Sequence, residues 1–521
     1  MPALDLLHKK LIRLADRAER IPTETLANSF VDARPLFDML STQNNQILYG
    51  RRGTGKTHLL KYLSSRVQAE NELPVYLDLR EVGSNGSLYA DPSRPFAERA
   101  TQLIQDVLCA LHDEILKIAV ENIDHLPNPA QVTSTLDDLA AECTRTRIQG
   151  TASVISQEDA EAQSHGKLQA VAKAGSSPEI GASAEKGQTL RHAVQTTRSL
   201  TGIETPTIVF GSLQQAIRRV IETLGITRLW VLLDEWSVIP IELQPYMADI
   251  IRRCMFPIER VTVKFGAIEH RSNFKIPLLR GQYIGLEVGA DASADLNLDD
   301  FMVFDNDSER SKEFFGKLVY NHVMAGADGE ELGFSSPAEL VSMLFNQTPT
   351  FEEFVRASEG VPRDALHLLG IAVSSNFGNP ITMPIIRTSA STWYTRDKTA
   401  AATENNTLND FLQKIILEVI GHRKARAFLF RADVRSKMID DLFDLRLVHI
   451  LKRNISSHDN PGIRYHAYKL DYGCYVNLIN TSQATRGLLN IDEGQYVDVP
   501  PDDWRSIRRA ILEPEEMVVG E

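Results

Sequence analysis

Gly50-Arg51-Arg52-Gly53-Thr54-Gly55-Lys56-Thr57 follows the apolar run Gln46-Ile47-Leu48-Tyr49 and precedes the helix-like stretch His58-Leu59-Leu60-Lys61-Tyr62-Leu63. The octet fits G-x-x-x-x-G-K-[ST] in a strand, loop, helix context. Glycines at 50, 53 and 55 let the backbone wrap a phosphate chain without Cβ obstruction, while the loop N–H groups and the helix N-terminus present partial positive charge. Lys56 is placed to reach the β- and γ-phosphates, and the Thr57 hydroxyl to join the oxygen shell of a Mg²⁺ ion. A nucleoside triphosphate site is therefore expected on Gly50, Arg51, Arg52, Gly53, Thr54, Gly55, Lys56, Thr57 and His58, with Thr57 as a metal ligand.

Far downstream, Arg228-Leu229-Trp230-Val231-Leu232-Leu233-Asp234-Glu235-Trp236-Ser237 is an apolar run ending in two acids, the pattern of a parallel strand buried on both faces. Carboxylates at the C-terminal end of such a strand face the ligand crevice. Asp234 is the second expected metal ligand, and Glu235 the residue that polarises the water attacking the γ-phosphate. A third run, Val261 to Ile268, leads into Glu269-His270-Arg271-Ser272-Asn273, where a γ-phosphate sensor would sit. Further on, Gly360-Val361-Pro362-Arg363 opens a helix, and Arg363 at its start is placed to reach back to the nucleotide.

Together these elements resemble the AAA+ ATPases, especially the initiator (origin-recognition-like) and STAND-like branch, over most of residues 29 to 480. Residues 50 to 57 match the family's Walker A motif, Leu232-Leu233-Asp234-Glu235 its Walker B, and Gly360-Val361-Pro362-Arg363 its sensor 2 signature. The resemblance implies an α/β fold with a five-stranded parallel sheet, a small helical lid, and ATP held between them and often between subunits. On that template the strands fall at about 46 to 50, 75 to 79, 229 to 234, 261 to 268 and 283 to 288, in the order 5-1-4-3-2. Arg280, just before the last of these, lies where the family often places an arginine finger, with Arg271 as its rival. The sensor 1 position departs from the family pattern, offering Glu269 and His270.

A length of 521 residues suggests about three domains. Hydrophobic residues at 43% and charged ones at 24% are ordinary for a globular chain, and no run of about 18 apolar residues exists to cross a bilayer. The N-terminal Leu4, Leu6, Leu7, Leu11, Ile12 and Leu14 alternate with Lys9, Lys10, Arg13 and Arg17, an amphipathic helix rather than a secretory signal, so a cytoplasmic protein is expected. Cys109, Cys143, Cys254 and Cys474 show no metal-ligand spacing. A net charge of −13 argues against wholesale coating of nucleic acid and leaves room only for a local contact.

The expected organisation is an N-terminal helix at 1–28, a nucleotide-binding core at 29–290 with an insertion at about 85–212, and a helical lid at 291–375. A linker at 376–405, a winged-helix-like domain at 406–495 and a tail at 496–521 complete it. Within the insertion, Phe96 to Val120 and Leu213 to Leu224 have helical spacing, whereas Gly150 to Gly187 has the composition of a flexible linker. After residue 405, two helix patterns precede the β-rich runs Leu447 to Leu451 and Tyr465 to Leu470, which suggests a winged helix. Residues 405–480 hold twelve Lys and Arg against eight Asp and Glu, reversing the sign of the whole chain. Arg423, Lys424, Arg426, Arg431, Arg435, Lys437, Lys452, Arg453 and Arg464 are candidates to neutralise DNA phosphates.

The favoured expectation is an ATP-hydrolysing, Mg²⁺-dependent switch acting on double-stranded DNA or on a partner protein, as a homo-oligomer or with a separate effector chain. The alternatives are a STAND-like ATPase of bacterial anti-phage defence and a nucleotide-stabilised scaffold with little turnover.

Overall fold

The computed structural model describes residues 2–14, 22–33, 35–68, 71–82, 89, 91–157, 195–301, 307–325, 332–423, 425–456, 462–474, 476 and 510–512. The chain divides into two compact units, Met1–Val82 with Gly225–Glu521, and Gly83–Leu224.

The larger unit is built on a five-stranded parallel sheet in the order Leu73–Asp78, Leu229–Asp234, Val261–Ala267, Gln46–Tyr49, Ser293–Asn297. Every residue of Leu229–Asp234 and of Val261–Ala267 is buried, with Thr262 and Lys264 among them, and burial on both faces is why Leu229–Leu233 reads as an unbroken apolar run. Four strands fall where expected, and the order is the expected one. The fifth strand is a correction. Tyr283–Gly285 does not join the sheet but folds back antiparallel on Lys275–Pro277, and Ser293–Asn297 takes the edge beside Gln46–Tyr49. Gly285 makes the fold-back possible: its φ is +110°, and a Cβ there would lie 2.0 Å from the Phe274 carbonyl oxygen.

Helices Ser308–Met324, Pro337–Leu344, Thr348–Ala357 and Pro362–Ser375 form a bundle around Phe315, Val319, Leu340, Phe354, Leu368 and Leu369. The N-terminal helix Pro2–Arg13 belongs to this core, inserting Leu4, Leu7 and Leu11. The expected linker at 376–405 is a second correction. Met383–Trp393 is a helix that continues as a π-turn through Tyr394–Lys398 and then as Ala400–Thr403. Ile386, Ala390, Tyr394 and Ala402 are buried along it, so packing has overridden its loop-like composition.

Beyond it stand helix Asn406–Ile416, capped by the Asn405 side chain, and helix Lys437–Asp444, capped by Ser436. They pack on an antiparallel sheet in the order Ala427–Arg431, Arg464–Leu470, Val448–Ser456. Residues 510–512 run along the outer edge of this sheet: Leu429 N–H donates to the Ala510 carbonyl at 2.9 Å and Leu512 N–H to the Leu429 carbonyl at 3.0 Å. Of the expected tail, only these three residues are described.

The smaller unit contains helices Phe96–Glu121, Pro129–Cys143 and Phe210–Leu224, together with a two-stranded antiparallel ribbon of Thr146–Gln157 and Gln195–Pro206. Leu103, Val107, Leu111, Leu136, Leu139, Ile217 and Ile221 are buried along the three helices. Of the stretch read as a flexible linker, Gly150 to Gly187, residues 158–187 lie outside the described residues, and 150–157 belong to strand Thr146–Gln157.

Candidate functional site

Gln46–Tyr49 delivers the chain to Gly50, and helix Lys56–Gln68 begins at the end of the octet. Gly53 and Gly55 turn the loop with φ of +90° and +102°, a region that disfavours residues bearing Cβ. Lys56 lies within the turn, its Nζ donating to the carbonyls of Gly50 at 2.7 Å and Arg51 at 3.1 Å. Burial pulls the Lys56 pKa down, against the attraction of Asp234, Glu235 and Asp299.

Thr57 Oγ1 donates to Asp234 Oδ2 at 2.6 Å, bringing together residues 177 positions apart. The same Oδ2 accepts from Tyr76 Oη at 2.9 Å, and Oδ1 accepts from the Glu235 backbone N–H at 2.8 Å. Asp234 is wholly buried, in space that the neighbouring strand leaves open: a Cβ on Gly266 would stand 2.5 Å from Asp234 Oδ1. A hydroxyl and a carboxylate converging beside the phosphate loop are the hard oxygen donors Mg²⁺ prefers, so the residues fit that ion.

Glu235 adopts a left-handed backbone with φ of +56°, uncommon for a residue with a side chain and found where the surroundings over-determine it. Burial raises its pKa, with Asp234 adding to the effect and Lys56, Arg80 and Arg52 opposing it. A raised carboxyl pKa moves such a group toward the range useful to a general base. Arg80 Nη1 is 3.9 Å from Glu235 Oε1, while its Nη2 pairs with Asp78 Oδ2 at 2.5 Å. Tyr76, Asp78, Arg80 and Gly266 were not read from the sequence. The period-2 position of Tyr76 and Asp78 at the end of Leu73–Asp78, and a glycine within an apolar strand, were the available signals.

Arg363 is brought to the loop from the helical bundle. Its backbone N–H donates to the Gly53 carbonyl at 3.2 Å, its Cβ would lie 2.9 Å from a Cβ on Gly53, and its charge acts on Lys56. Beside the loop is a mostly apolar pocket lined by Phe30, Val31, Leu36, Leu59, Phe314 and Leu318, with Thr54, Gly55, His58 and Pro362 at the loop side. Its apolar lining suits the face of a planar base. His58 Nε2 lies 2.8 Å from the Leu26 carbonyl, and its ring meets those of Phe30 and His322 edge-on.

The Arg51 side chain does not point into the phosphate seat. Asp299 grips its N–H at 2.9 Å and its Nε at 2.6 Å, and the guanidinium runs into the C-terminal domain, 4.2 Å above the Phe443 ring. Arg52 remains on the solvent face and acts on Glu235 through its charge alone. Glu269 is held in ion pairing with Arg453 at 2.9 Å and accepts from Asn297 Nδ2 at 3.2 Å, while His270 pairs with Asp440 at 3.3 Å, so both side chains at the sensor position are engaged. Arg280 sits at the exposed tip of the Lys275–Gly285 fold-back with φ of +60°, and among the described residues nothing ties it to the loop. Its rival Arg271 pairs with Asp444 at 2.5 Å.

Of the basic residues offered to DNA, Arg453 is turned onto Glu269 and Asp300, and Arg423 donates to the Ile511 carbonyl at 2.5 Å. Arg431 pairs with Asp433, and Lys424 lies outside the described residues. Arg435, Lys437, Lys452 and Arg464 face solvent. Among the described residues no helix is long and apolar enough to cross a membrane.

Residues 14–85 match the family model described as ORC-CDC6-like. Among solved structures, the chain is similar to the Orc1 protein of Aeropyrum pernix in complex with DNA, at 12% identity, covering 84% of this chain and 88% of that one with a TM-score of 0.30. Among curated proteins no match is found.

Proposed function

We propose that this chain is an ATPase of the AAA+ type, resembling the initiator branch, that acts on double-stranded DNA through its C-terminal domain. The single observation that carries the reading is the 2.6 Å bond between Thr57 and Asp234, which joins the phosphate loop to the acidic strand end with Glu235 next in the chain. Mg²⁺ held by Thr57 and Asp234 would neutralise charge on the phosphates. The base would occupy the cavity beside His58, Lys56 would release its carbonyl partners to contact phosphate, and Glu235 would orient water. Arg363, fixed to the loop through its own backbone, belongs to the lid that closes over the nucleotide. Support for the DNA partner is the solvent-facing set Arg435 and Lys437 at the start of helix Lys437–Asp444 with Lys452 and Arg464 on the antiparallel strands that follow, an arrangement that resembles a winged helix. Arg280, exposed at a projecting tip, would complete the site of a neighbouring copy.

The test is nucleotide titration and turnover with and without duplex DNA. Lys56→Ala is expected to lower ATP affinity at least about 100-fold, and Glu235→Gln to keep affinity while lowering turnover about 100-fold or more. Absence of ATP binding at saturating Mg²⁺ would overturn the assignment, and turnover indifferent to DNA would remove duplex DNA as the partner.

A further inference from the structure

Arg51 belongs to the phosphate loop by its backbone and to the C-terminal domain by its side chain. Its Nη1 donates to the Phe443 carbonyl at 3.3 Å and the Val448 carbonyl at 3.1 Å, and Nη1 and Nη2 lie 3.3 and 3.2 Å from His449 Nδ1. A guanidinium only donates, so Nδ1 must be the acceptor and the His449 proton must sit on Nε2. That Nε2–H points to Asp471 Oδ2 at 3.0 Å. The same carboxylate oxygen takes Lys398 Nζ at 2.5 Å, and Lys398 Nζ is also 2.9 Å from Asp364 Oδ2. Asp364 follows Arg363, whose backbone N–H returns to Gly53. Lys398, Asp364, Asp471, His449 and Arg51 are each no more than 3% exposed.

These contacts close a circuit. It leaves the phosphate loop at Arg51, crosses the C-terminal domain at His449 and Asp471, passes the connecting helices at Lys398, enters the lid at Asp364 and Arg363, and ends on the loop again at Gly53. Buried charges in a low-dielectric setting tolerate few alternative partners, because a broken pair leaves an uncompensated charge. A shift of the loop or lid is therefore transmitted around the ring instead of being absorbed by solvent.

We infer that His449 is a positioning residue that couples the occupancy of the nucleotide site to the packing of the C-terminal domain through the Arg51–His449–Asp471–Lys398–Asp364 circuit. The inference rests on the nucleotide reading above. Occupation of the loop withdraws Lys56 from the Gly50 and Arg51 carbonyls, shifting Arg51 and, through the neutral His449 ring, the strands that carry His449 and the segment at Asp471. By linkage, whatever binds the C-terminal domain and prefers one arrangement changes nucleotide affinity by the same factor.

The measurement is hydrogen exchange of the amides of Val448–Leu451 and Ala467–Leu470 in the full chain, with and without Mg²⁺ and a non-hydrolysable ATP analogue. The wild type is expected to change its exchange rate at least about fivefold on binding. His449→Leu should bind the analogue within about twofold of the wild type yet lose that response. His449→Gln, whose amide presents an acceptor beside a donor, should restore it. Should His449→Leu fail to fold, His449→Asn, too short to span both partners, is read in its place with the same expectation. A wild type that binds the analogue without any change in these strands, or a His449→Leu or His449→Asn chain that responds like the wild type, overturns the coupling. A wild type that does not bind the analogue overturns the nucleotide reading instead.

Discussion

Gly53 and Gly55 share a positive φ but differ in what surrounds them. An alanine at either pays the same backbone strain, about 1 kcal/mol. At Gly55 the new Cβ meets nothing within 4 Å, whereas at Gly53 it meets Arg363 Cβ at 2.9 Å and Val361 Cγ1 at 3.2 Å. Gly53→Ala is thus expected to push the lid helix off the loop and weaken ATP binding about tenfold beyond the effect of Gly55→Ala, at similar loss of melting temperature. Equal affinities for the two variants would refute the Gly53–Arg363 contact as a determinant of binding. At this scale the sequence is most legible: Lys56, Thr57, Asp234 and Glu235 were all named from residue type and flanks, because phosphate and metal chemistry admits few substitutes. The place of the Arg51 side chain was illegible for an equally local reason. Its neighbours in the chain form a phosphate seat, and nothing in them tells that the partners of its side chain are Asp299, Phe443 and His449.

Among elements, the two corrections have a common physical origin. Ser293–Asn297 carries one fully buried apolar residue, Leu296, so an edge strand paired through its backbone leaves little hydrophobic pattern to read. Met383–Lys398 buries small or polar positions such as Ser389, Ala390 and Lys398, and a pattern search for large apolar residues passes over it. The central strands, buried on both faces, were readable for the opposite reason. Lys398 gives the connecting helices their place, since it sits between Asp364 and Asp471. Its pKa is raised: burial works against the charge, and the two carboxylates outweigh it. Lys398→Met leaves both carboxylates buried with one cation fewer and is expected to destabilise the larger unit by about 3–5 kcal/mol, read as a lower urea midpoint. A change below about 1 kcal/mol would show that the carboxylates find other compensation.

Over the whole molecule, buried histidines set the response to acid. Burial lowers His322 to about 4, with His58 adding to it, and lowers His449 to about 3. In the unfolded chain both return to about 6.5. Between 6.5 and these native values the unfolded state takes up protons that the native state refuses, so stability falls as pH falls, each histidine contributing up to about 1.4 kcal/mol per pH unit. Asp471 and Asp364 are shifted down in the fold, burial being outweighed by Lys398, and their contribution is lost only below about pH 4. The melting temperature is therefore expected to drop between pH 6.5 and 5, above the range in which Asp364 and Asp471 titrate, and His322→Phe to make that drop shallower. A melting temperature constant over this interval would contradict the neutral, buried state of both rings.

The three residues 510–512 hem the selvedge of the C-terminal sheet. Ala427–Arg431 would otherwise offer Leu429's backbone N–H and carbonyl to any extended peptide, and an open strand margin is where chains stick to one another. Distant in the sequence and apolar throughout as Ala510-Ile511-Leu512, this stitch converts a surface prone to fibrous clumping into a finished border.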